Sequence, residues 1–378
     1  MQICSRCIYS EKMGKIQFDE RGECNYCKQI DAMSSLYGSG KKKGQLLLDE
    51  IIKDIKLQGK GKKYDCVVGV SGGTDSSFLL MKAVDWGLKP LAVHYDNTWN
   101  TAEASMNIKR VTDAFNVDLI THVVDKREAD DLFKAFLLAG VPEWDASTDI
   151  ALAQVIRKTA AKYNIRYVLE GHSFQAEGIS PASNNYFDGA YVRDIHKKYG
   201  TVSLRTFPIL SFWQMLKWSI LYRQKFVRPL WYLNYTKADA QKELIERVGW
   251  VNYGGHHLEN RAAIFGHQVY APQKFGIDYR FLTLAARVRA GQMLRDDALQ
   301  EFESKPNINP EIIGYVSKRL KLSKGQINEH LCGPKRSWRD FKTYKKRFVL
   351  LAPFFLALAK ANRIPMTFYL KYCNPDEK

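Results

Sequence analysis

Residues 71–77, Ser-Gly-Gly-Thr-Asp-Ser-Ser, constrain the fold of this chain more than any other stretch. An apolar, β-branched run precedes them at residues 66–70, and this pattern predicts a buried parallel strand. Helix-forming apolar residues follow them as far as Trp86 and Gly87, where the helix is expected to end. Gly72 and Gly73 allow the backbone to turn sharply and to approach a ligand closely. The segment is therefore predicted to be a strand, a tight turn and a helix.

The same turn has the chemistry of an anion-binding site. Ser76 and Ser77 place hydroxyl groups beside the N–H groups of the first helical turn, where the helix dipole favours negative charge. Asp75 would repel a phosphate unless a cation lay between them, so we predict that it binds Mg²⁺ together with phosphate oxygens. The stretch is neither a Gly-x-x-x-x-Gly-Lys-Ser loop nor a dinucleotide fingerprint with three spaced glycines. An ordinary Gly-Ser turn in an α/β domain is the alternative.

Strand and helix patterns alternate after this stretch. Apolar runs at residues 91–95, 119–123 and 167–169 predict three further strands, with helical spacing between them. The alternation predicts an α/β fold with a doubly wound parallel sheet, which binds ligands at the carboxyl ends of its strands. Polar residues fall at those ends: His94, Asp96, Asn97, Glu170 and His172.

Four of the seven cysteines form two Cys-x-x-Cys pairs separated by sixteen residues: Cys4, Cys7, Cys24 and Cys27. Two thiolate pairs across such a spacer are typical of a tetrahedral zinc ribbon. Two disulfides are the alternative, which a cytosolic compartment disfavours. Four thiolates leave no open position for catalysis, so the predicted role is structural. The remaining cysteines are isolated, and Cys66 is predicted to be buried in its strand.

The net charge of +17 indicates a polyanionic partner: a nucleotide, a nucleotide sugar, nucleic acid or an anionic membrane surface. The chain shows no N-terminal apolar signal segment and no apolar run near twenty residues, which predicts a cytoplasmic location. Seven basic residues between 335 and 347 precede an apolar stretch at 348–356. This combination would suit peripheral contact with an anionic membrane. A helix docked on the main body is the alternative that we favour.

The length of 378 residues allows more than one unit. The units predicted from changes in composition and periodicity are a zinc-binding module at 1–37, a linker and helix at 38–62, the nucleotide domain at 63–205, a mostly helical substrate-binding region at 206–330 and a basic and apolar tail at 331–378.

Several of these stretches together resemble the N-acetyl sugar amidotransferases of bacterial surface-polysaccharide synthesis. The Ser-Gly-Gly-x-Asp-Ser loop alone marks only their superfamily, the PP-loop ATP pyrophosphatases. The more specific stretches are Val-His-Tyr-Asp-Asn-Thr-Trp-Asn at 93–100 and Lys-Phe-Gly-Ile-Asp at 274–278. The paired cysteines, Gly-His at 171–172, Glu-Gly at 177–178, Gly-Trp at 249–250 and Tyr-Gly-Gly at 253–255 also agree. The resemblance extends to about residue 330 and leaves the tail outside.

The resemblance implies that the acetamido group of a sugar becomes an acetamidino group, with ATP and ammonia consumed. The implied substrate is a nucleotide-linked diacetamido uronic acid or a nonulosonic acid, and the implied cofactors are ATP, Mg²⁺ and structural Zn²⁺. Ammonia would come from a glutaminase subunit resembling that of imidazole glycerol phosphate synthase, in some systems beside a cyclase-like barrel subunit. This chain shows no glutaminase nucleophile of its own, and nucleic acid is not an expected partner.

The chemistry of the family assigns candidate roles to residues of this chain. Residues predicted to hold ATP are Val70, Ser71, Gly72, Gly73, Thr74, Asp75, Ser76, Ser77, His94 and Gly171. Residues predicted to take part in catalysis are Asp75, Asp96 and His172. Residues predicted to bind the sugar are Asn97, Trp99, Asn100, Glu177, Tyr253, His257, Glu259, Arg261, Lys274, Asp278 and Arg280.

Simpler interpretations stand beside several of these roles. His94 on a strand is typical of a hydrogen-bonded core histidine, and Trp99, Trp250 and Tyr253 are equally consistent with core packing. Residues 256–260 read His-His-Leu-Glu-Asn, where the family has a run like Lys-His-Tyr-Glu-Ser. This departure affects the role of His256 and the choice of sugar.

Other functions share some of these features. A tRNA thiolase also combines a PP-loop with cysteine-rich modules and a basic surface, but it normally needs reactive cysteines close to ATP. An amidotransferase acting on another acid or amide would use the same loop. A membrane-surface scaffold without catalytic activity would explain the tail but would not need Asp75.

Overall fold

The structure is a computed structural model, and it describes residues 2–13, 16–179, 186–254, 258–364 and 366–373. His257, predicted to bind the sugar, and its neighbour His256 lie outside the described residues.

Parallel strands form one sheet at the centre of the described chain, in the order β3-β2-β1-β4-β5. They are β1 (Cys66–Gly69), β2 (Pro90–Asp96), β3 (Leu119–Val123), β4 (Tyr167–Leu169) and β5 (Lys225–Val227). Cys66 is in register with Pro90 on one side and with Tyr167 on the other. The strand order reverses beside β1, so the predicted doubly wound parallel sheet is confirmed, with a crevice at the carboxyl ends of β1 and β4.

Helices cover the sheet and build the second half of the chain. In the first half they are α1 (Asn25–Tyr37), α2 (Lys42–Gln58), α3 (Thr74–Asp85), α4 (Ala102–Ala114), α5 (Lys126–Ala139), α6 (Ala146–Lys162), α7 (Phe174–Glu177) and α8 (Gly189–Tyr199). In the second half they are α9 (Phe212–Ile220), α10 (Lys237–Val248), α11 (Arg261–Phe265), α12 (Arg280–Arg289), α13 (Arg295–Glu303), α14 (Ile312–Leu320), α15 (Lys324–Cys332), α16 (Lys345–Leu350), α17 (Ala352–Lys360) and α18 (Met366–Tyr372). A π-helical stretch, Gly266–Phe275, follows α11 directly.

Successive residues of the central strands point to opposite faces of the sheet and so supply two separate cores. On one face Val67, Leu91 and Val93 pack against apolar residues of α5, α6 and α8. On the other face Val68 and Ala92 pack against α2, α3, α4 and α10. The crossover helices therefore sandwich the sheet.

The sheet continues beyond the boundary predicted at residue 205. β5 pairs with β4 in parallel, with Val168 in register with Phe226. Because β5 is short and only partly buried, its composition resembles that of the basic and aromatic segment around it. The predicted division at 205 therefore cuts through the unit that contains the sheet.

The tail docks on the main body, as the favoured alternative predicted. Phe348 of α16 lies 5.5 Å from Phe212 of α9 and 5.3 Å from Phe355 of α17, measured between ring centroids. These rings form one buried apolar cluster with residues of α18. In the described part of the chain, no helix is both long enough and apolar enough to cross a lipid bilayer.

A buried carboxyl group, Glu143, lies just before α6. Its oxygens accept hydrogen bonds from the Tyr186 N–H at 3.1 Å and from the Tyr191 hydroxyl at 2.9 Å. Burial outweighs these bonds and raises the pKa of Glu143 to about 7, which favours the protonated form in the folded state.

We therefore expect the stability of the protein to fall as the pH rises from about 4.5 to about 7 and to level off above that range. The loss attributable to Glu143 is roughly 3 kcal/mol over this interval. Glu143→Gln should remove this part of the slope, as measured by urea unfolding between pH 4.5 and 8. Glu50→Gln, at an exposed position of α2, is the control and should leave the slope unchanged.

Candidate active site

The turn after β1 depends on a glycine with positive φ. Gly72 has a φ of 82°, and a Cβ atom there would lie 2.2 Å from the Ala104 carbonyl oxygen. The Gly72 carbonyl oxygen accepts a hydrogen bond from the Trp250 indole at 3.2 Å, and the Asn107 amide lies at 3.4 Å. Neighbouring residues therefore contact the turn closely, and only glycine is compatible with its conformation at position 72.

The loop leads directly into α3, and the N-terminus of this helix has the features of an anion-binding site. Gly73 is the residue before the helix, and the first N–H groups of α3 point out of its N-terminus. The Ser76 hydroxyl lies 3.2 Å from both the Ser71 N–H and the Ser71 hydroxyl, which closes the loop into a cradle. Ser77 differs from its predicted role, because it is buried and its N–H donates to the Gly73 carbonyl within the helix.

Asp75 contacts two residues from the segment that follows β5. Its carboxylate accepts a hydrogen bond from the Tyr235 hydroxyl and lies 3.1 Å from the Lys237 ammonium group. Tyr235 is buried, and burial together with the nearby Asp75 charge raises the pKa of its hydroxyl. Lys237 is the first residue of α10, which packs on α3, so the packing of these two helices holds the ammonium group at Asp75.

His172 lies at the carboxyl end of β4 between a tryptophan and a glutamate. The Trp231 indole N–H lies 3.3 Å from Nδ1, and Nε2 lies 3.4 Å from a Glu177 carboxylate oxygen. An indole can only donate, so Nδ1 accepts and the single ring proton sits on Nε2, facing Glu177. Although part of the ring faces solvent, its enclosure by neighbouring groups and the charges of Arg228 and Lys237 lower the pKa of His172 to about 3.

The side chain of His172 is 42% exposed, and a catalytic role for it stays a prediction.

Two further predicted residues lie over the cradle. A Cβ atom built on Gly73 would lie 3.1 Å from the Tyr253 hydroxyl and 3.5 Å from a Glu259 carboxylate oxygen. Hydrogen bonds link the Tyr253 hydroxyl to Thr74, while burial and the Glu259 charge raise the pKa of the Tyr253 hydroxyl. Gly171 packs against the first turn of α3, since a Cβ atom there would lie 3.1 Å from the backbone of Asp75.

Two carboxylates near the cradle are of the type that binds magnesium. Asp75 is in the first turn of α3, and the Glu259 carboxylate reaches the same turn from a loop distant in sequence. Carboxylates that face a phosphate site are the usual protein ligands of Mg²⁺, which phosphate oxygens and water complete.

The structure corrects the ATP-binding role predicted for His94 and supports the simpler interpretation. His94 is 6% exposed, and its Nδ1 lies 2.8 Å from the Val70 carbonyl oxygen. The Asn100 amide donates to Nε2 at 3.0 Å, so both ring nitrogens are engaged within the protein. The Val70 N–H is likewise used, because it donates to the Val93 carbonyl. These residues position the loop and do not face a ligand.

A network of amide side chains follows β2. Asn260 donates to the amide oxygens of Asn97 and Asn100, each at 2.9 Å. Asn97 is buried, so its predicted contact with the sugar is incompatible with this position. Asn100 is partly exposed, and its carbonyl oxygen accepts from Arg261 at 2.7 Å. The network joins the end of β2 to the loop that carries Glu259.

Asp96 ends β2 and is partly exposed. Its carboxylate accepts a hydrogen bond from the Thr98 N–H at 2.7 Å, which stabilises the turn after the strand. A catalytic role for Asp96 stays a prediction.

Trp99 is a core residue, which corrects its predicted role as a sugar platform. The side chain is fully buried, its ring lies 4.9 Å from Phe133 and 5.5 Å from Tyr315, and its indole donates to Asp130 at 3.1 Å. The Arg319 guanidinium group covers the ring at 4.7 Å. No ring face is available to a sugar.

The Lys-Phe-Gly-Ile-Asp stretch also has structural roles. Lys274 is 2% exposed and donates to the carbonyl oxygens of His330 and Gly333 at the end of α15. Asp278 pairs with Arg280 at 2.7 Å, and Arg280 donates to carbonyl oxygens at the end of α13. All three residues therefore have structural contacts. Burial of Lys274 corrects its predicted sugar contact, while those of the partly exposed Asp278 and Arg280 stay predictions.

Sequence reasoning did not single out Tyr235, Lys237 or Trp231, although all three contact the candidate active site. Their positions after β5 offered one indication, because residues beyond a strand of such a sheet approach its ligand crevice. The strand itself was not predicted, so the indication was missed.

The four N-terminal cysteines form a site of their own. The four sulfurs are buried and lie within 4.8 Å of one another, with Cys4–Cys27 and Cys7–Cys24 at 3.8 Å and Cys24–Cys27 at 3.6 Å. Zinc–sulfur bonds of about 2.3 Å in a tetrahedron place sulfurs about 3.8 Å apart, so the geometry fits Zn²⁺. Arg289 donates to Cys7 at 3.1 Å and to Cys27 at 3.3 Å, and its charge would offset that of the thiolates.

Comparisons with known proteins give one family match, a relative in sequence and a structural neighbour. Residues 259–353 match the model of a family described as LPS biosynthesis protein WbpG-like, C-terminal domain. The chain is similar to the WbpG-like proteins. This match supports the family resemblance that the motifs suggested, and it extends past residue 330 into the tail, which was predicted to lie outside. An uncharacterized protein of Methanocaldococcus jannaschii is 25% identical over 328 residues, covering 84% of this chain and 99% of that protein. A solved structure of NMN synthetase from Francisella tularensis aligns with a TM-score of 0.35 and 13% identity, covering 77% of this chain and 95% of that one.

Proposed function

We propose that this protein is an ATP-dependent amidotransferase that converts an acetamido group of a surface-polysaccharide sugar into an acetamidino group. The observation that carries the proposal is the Ser-Gly-Gly-x-Asp-Ser cradle at the start of α3, with the Asp75 carboxylate beside the Lys237 ammonium group. The similarity to WbpG-like proteins of lipopolysaccharide biosynthesis supports the class of substrate.

The proposed reaction has two balanced steps. The amide oxygen of the sugar attacks the α-phosphorus of ATP, and the bond to the β-phosphate breaks and releases pyrophosphate. Ammonia then adds to the activated carbon, loses a proton and expels AMP, which retains the former amide oxygen. Because an amide carbonyl is a poor electrophile, adenylation of its oxygen supplies the leaving group that the second step needs.

The residues of the site would act mainly by positioning and by neutralising charge. The first N–H groups of α3 and the hydroxyls of Ser71 and Ser76 would hold the phosphates. Mg²⁺ bound to Asp75, and to Glu259 beside it, would offset the charge of the leaving pyrophosphate. Tyr253 would close the cradle beside Gly73.

Lys237 offers a test of this arrangement. We expect Lys237→Met to raise the KM for ATP on the order of tenfold, because the cradle loses the positive charge that lies beside Asp75 and would attract the phosphates. Lys242→Met removes the same charge from an exposed position of the same helix and should leave KM unchanged. Steady-state release of AMP at varied ATP measures both variants, and equal KM values would contradict the assignment.

Ammonia would come from a separate glutaminase subunit, and a barrel-type subunit would accompany it where one is present. Support comes from the sequence, which has no glutaminase nucleophile context, and from the remaining cysteines. Cys66 and Cys373 are buried, and Cys332 lies at the exposed end of α15. These positions also give no support to a thiolase, which needs a reactive cysteine at the cradle.

An isotope experiment tests the proposed reaction. A panel of nucleotide diacetamido sugars and nonulosonic acids, labelled with ¹⁸O in the acetamido group, would be incubated with ATP and ammonium chloride. We expect AMP to gain the label and one labelled sugar to become lighter by three mass units, because NH replaces ¹⁸O. Transfer of label to free phosphate, or stimulation of AMP release by tRNA with a sulfur donor and by no sugar, would overturn the proposal.

We also propose peripheral contact between the tail and an anionic membrane. Trp213 is 71% exposed and Leu350 is 80% exposed, and both flank the Phe212–Phe348 pair beside the exposed basic residues Lys346 and Arg347. The double variant Trp213→Ser, Leu350→Ser should lose sedimentation with phosphatidylglycerol vesicles. Leu57→Ser, at a similarly exposed leucine of α2, should retain it.

A further inference from the structure

A large basic cavity lies on the face of the sheet opposite α3. It has a volume of about 1170 Å³ and is lined by β3, the second half of α6, α8 and the loop at residues 203–211. Its lining shares no residue with the candidate active site. α6 and α8 belong to the core on one face of the sheet and α3 to the core on the other, so the sheet separates the two sites.

The charged side chains that line this cavity are basic. Lys158 and Lys162 of α6 and Arg193 and Lys197 of α8 line it, and no Asp or Glu does within the described ranges. Lys158, Lys162 and Lys197 have no carboxylate within 4 Å among the residues that the structure describes. Arg193 donates only to the carbonyl oxygens of residues 189 and 209 and to a tyrosine hydroxyl. Burial and the nearby Lys158 charge lower the pKa of His122, another lining residue.

The size and the remaining lining of the cavity are the second observation. The volume is sufficient for a nucleotide, and Tyr163 and Phe207 offer apolar surface.

We propose that this basic cavity binds a diphosphate group through Lys158, Lys162, Arg193 and Lys197. Two sources share this chemistry: a nucleoside diphosphate and inorganic pyrophosphate. The inference does not depend on the reaction proposed above.

Calorimetric titration of the full chain with UDP and with inorganic pyrophosphate tests the proposal. Gly73→Val fills the phosphate cradle at α3 and leaves only the basic cavity, so we expect this variant to bind one equivalent of at least one probe. Adding Lys158→Ala and Lys162→Ala should weaken that binding on the order of tenfold for each lysine. Lys53→Ala with Lys56→Ala removes two exposed lysines from α2 and should have no effect.

The results separate the two sources and the two sites. Tighter binding of UDP than of pyrophosphate assigns a nucleoside diphosphate; binding of pyrophosphate alone assigns the free anion. If the Gly73 variant binds neither probe, or if the two lysine pairs have equal effects, the proposal is overturned. If Gly73→Val fails to fold, the chain with native Gly73 serves instead. It should bind two equivalents of pyrophosphate, and substitution of Lys158 and Lys162 by Ala should remove one of them. Failure of the amidotransferase proposal would leave these results unchanged.

Discussion

Asp75→Asn is expected to reduce the rate of AMP formation on the order of 10²–10³-fold, equivalent to roughly 3–4 kcal/mol of transition-state stabilisation. The substitution removes the carboxylate charge but keeps the side-chain shape and the contact with Tyr235. Lys237 would then face the cradle without its 3.1 Å ion pair. The measurement is single-turnover conversion of ATP to AMP with the labelled sugar and ammonium chloride.

Asp113→Asn is the matched control for this variant. Asp113 is an exposed residue of α4 that pairs with Lys109 four residues earlier, and surface pairs of this kind contribute little to stability. Thermal midpoints of both variants near that of the native chain would show that the fold is intact. If the Asp75 variant formed AMP at the native rate, the cradle would have no part in the reaction. That result would favour the alternative of a membrane-surface scaffold without catalytic activity.

Loss of zinc is expected to have the largest effect on stability. Cys7→Ser should abolish binding of one zinc ion per chain and lower the thermal midpoint by roughly 5–10 °C, because the binding free energy of such a site is folding free energy. The effect should extend beyond the N-terminal module, since Tyr9 packs on Phe281 of α12 and donates to the Ile179 carbonyl just after α7. Glu177 of the candidate active site is the last residue of α7. A disturbance of α7 should therefore lower AMP formation as well.

Cys332→Ser provides the comparison for the zinc variant. It makes the same chemical change at an exposed cysteine, so zinc content and thermal midpoint should stay native. Zinc content by plasma emission spectrometry and unfolding by scanning calorimetry are the two measurements. A native midpoint in Cys7→Ser would show that the module folds without metal.

The sequence predicted what local spacing determines. The loop at residues 71–77 was placed correctly between a strand and a helix because glycines, hydroxyls and apolar periodicity all lie within about twenty residues. The four cysteines were also predicted as a group, and their sulfurs do converge. The parallel sheet followed from the alternation of patterns, apart from β5, whose three partly buried residues lack a strand signature.

Residues brought in from a distance could not be predicted in the same way. Tyr235 and Lys237 reach Asp75 only because α10 packs on α3. Conversely, Trp99 and Lys274 lie in stretches that match the family, yet core packing and helix ends engage their side chains. Sequence shows which residues are chemically suited to a ligand, but burial decides which of them reach it.

Arg289 and Arg295 hold the cysteine module from far along the chain, through the sulfurs of Cys7 and Cys27 and the carbonyl oxygens of Cys4 and Cys7. This contact has a consequence for the order of events during translation. A ribosome adds residues from the N-terminus at roughly 5–20 per second, so the first thirty residues wait many seconds for these two arginines. Until α12 and α13 have left the exit tunnel, the thiolates of the nascent module lack the positive charges of these two arginines. The beginning of the protein is therefore among the last parts to be completed.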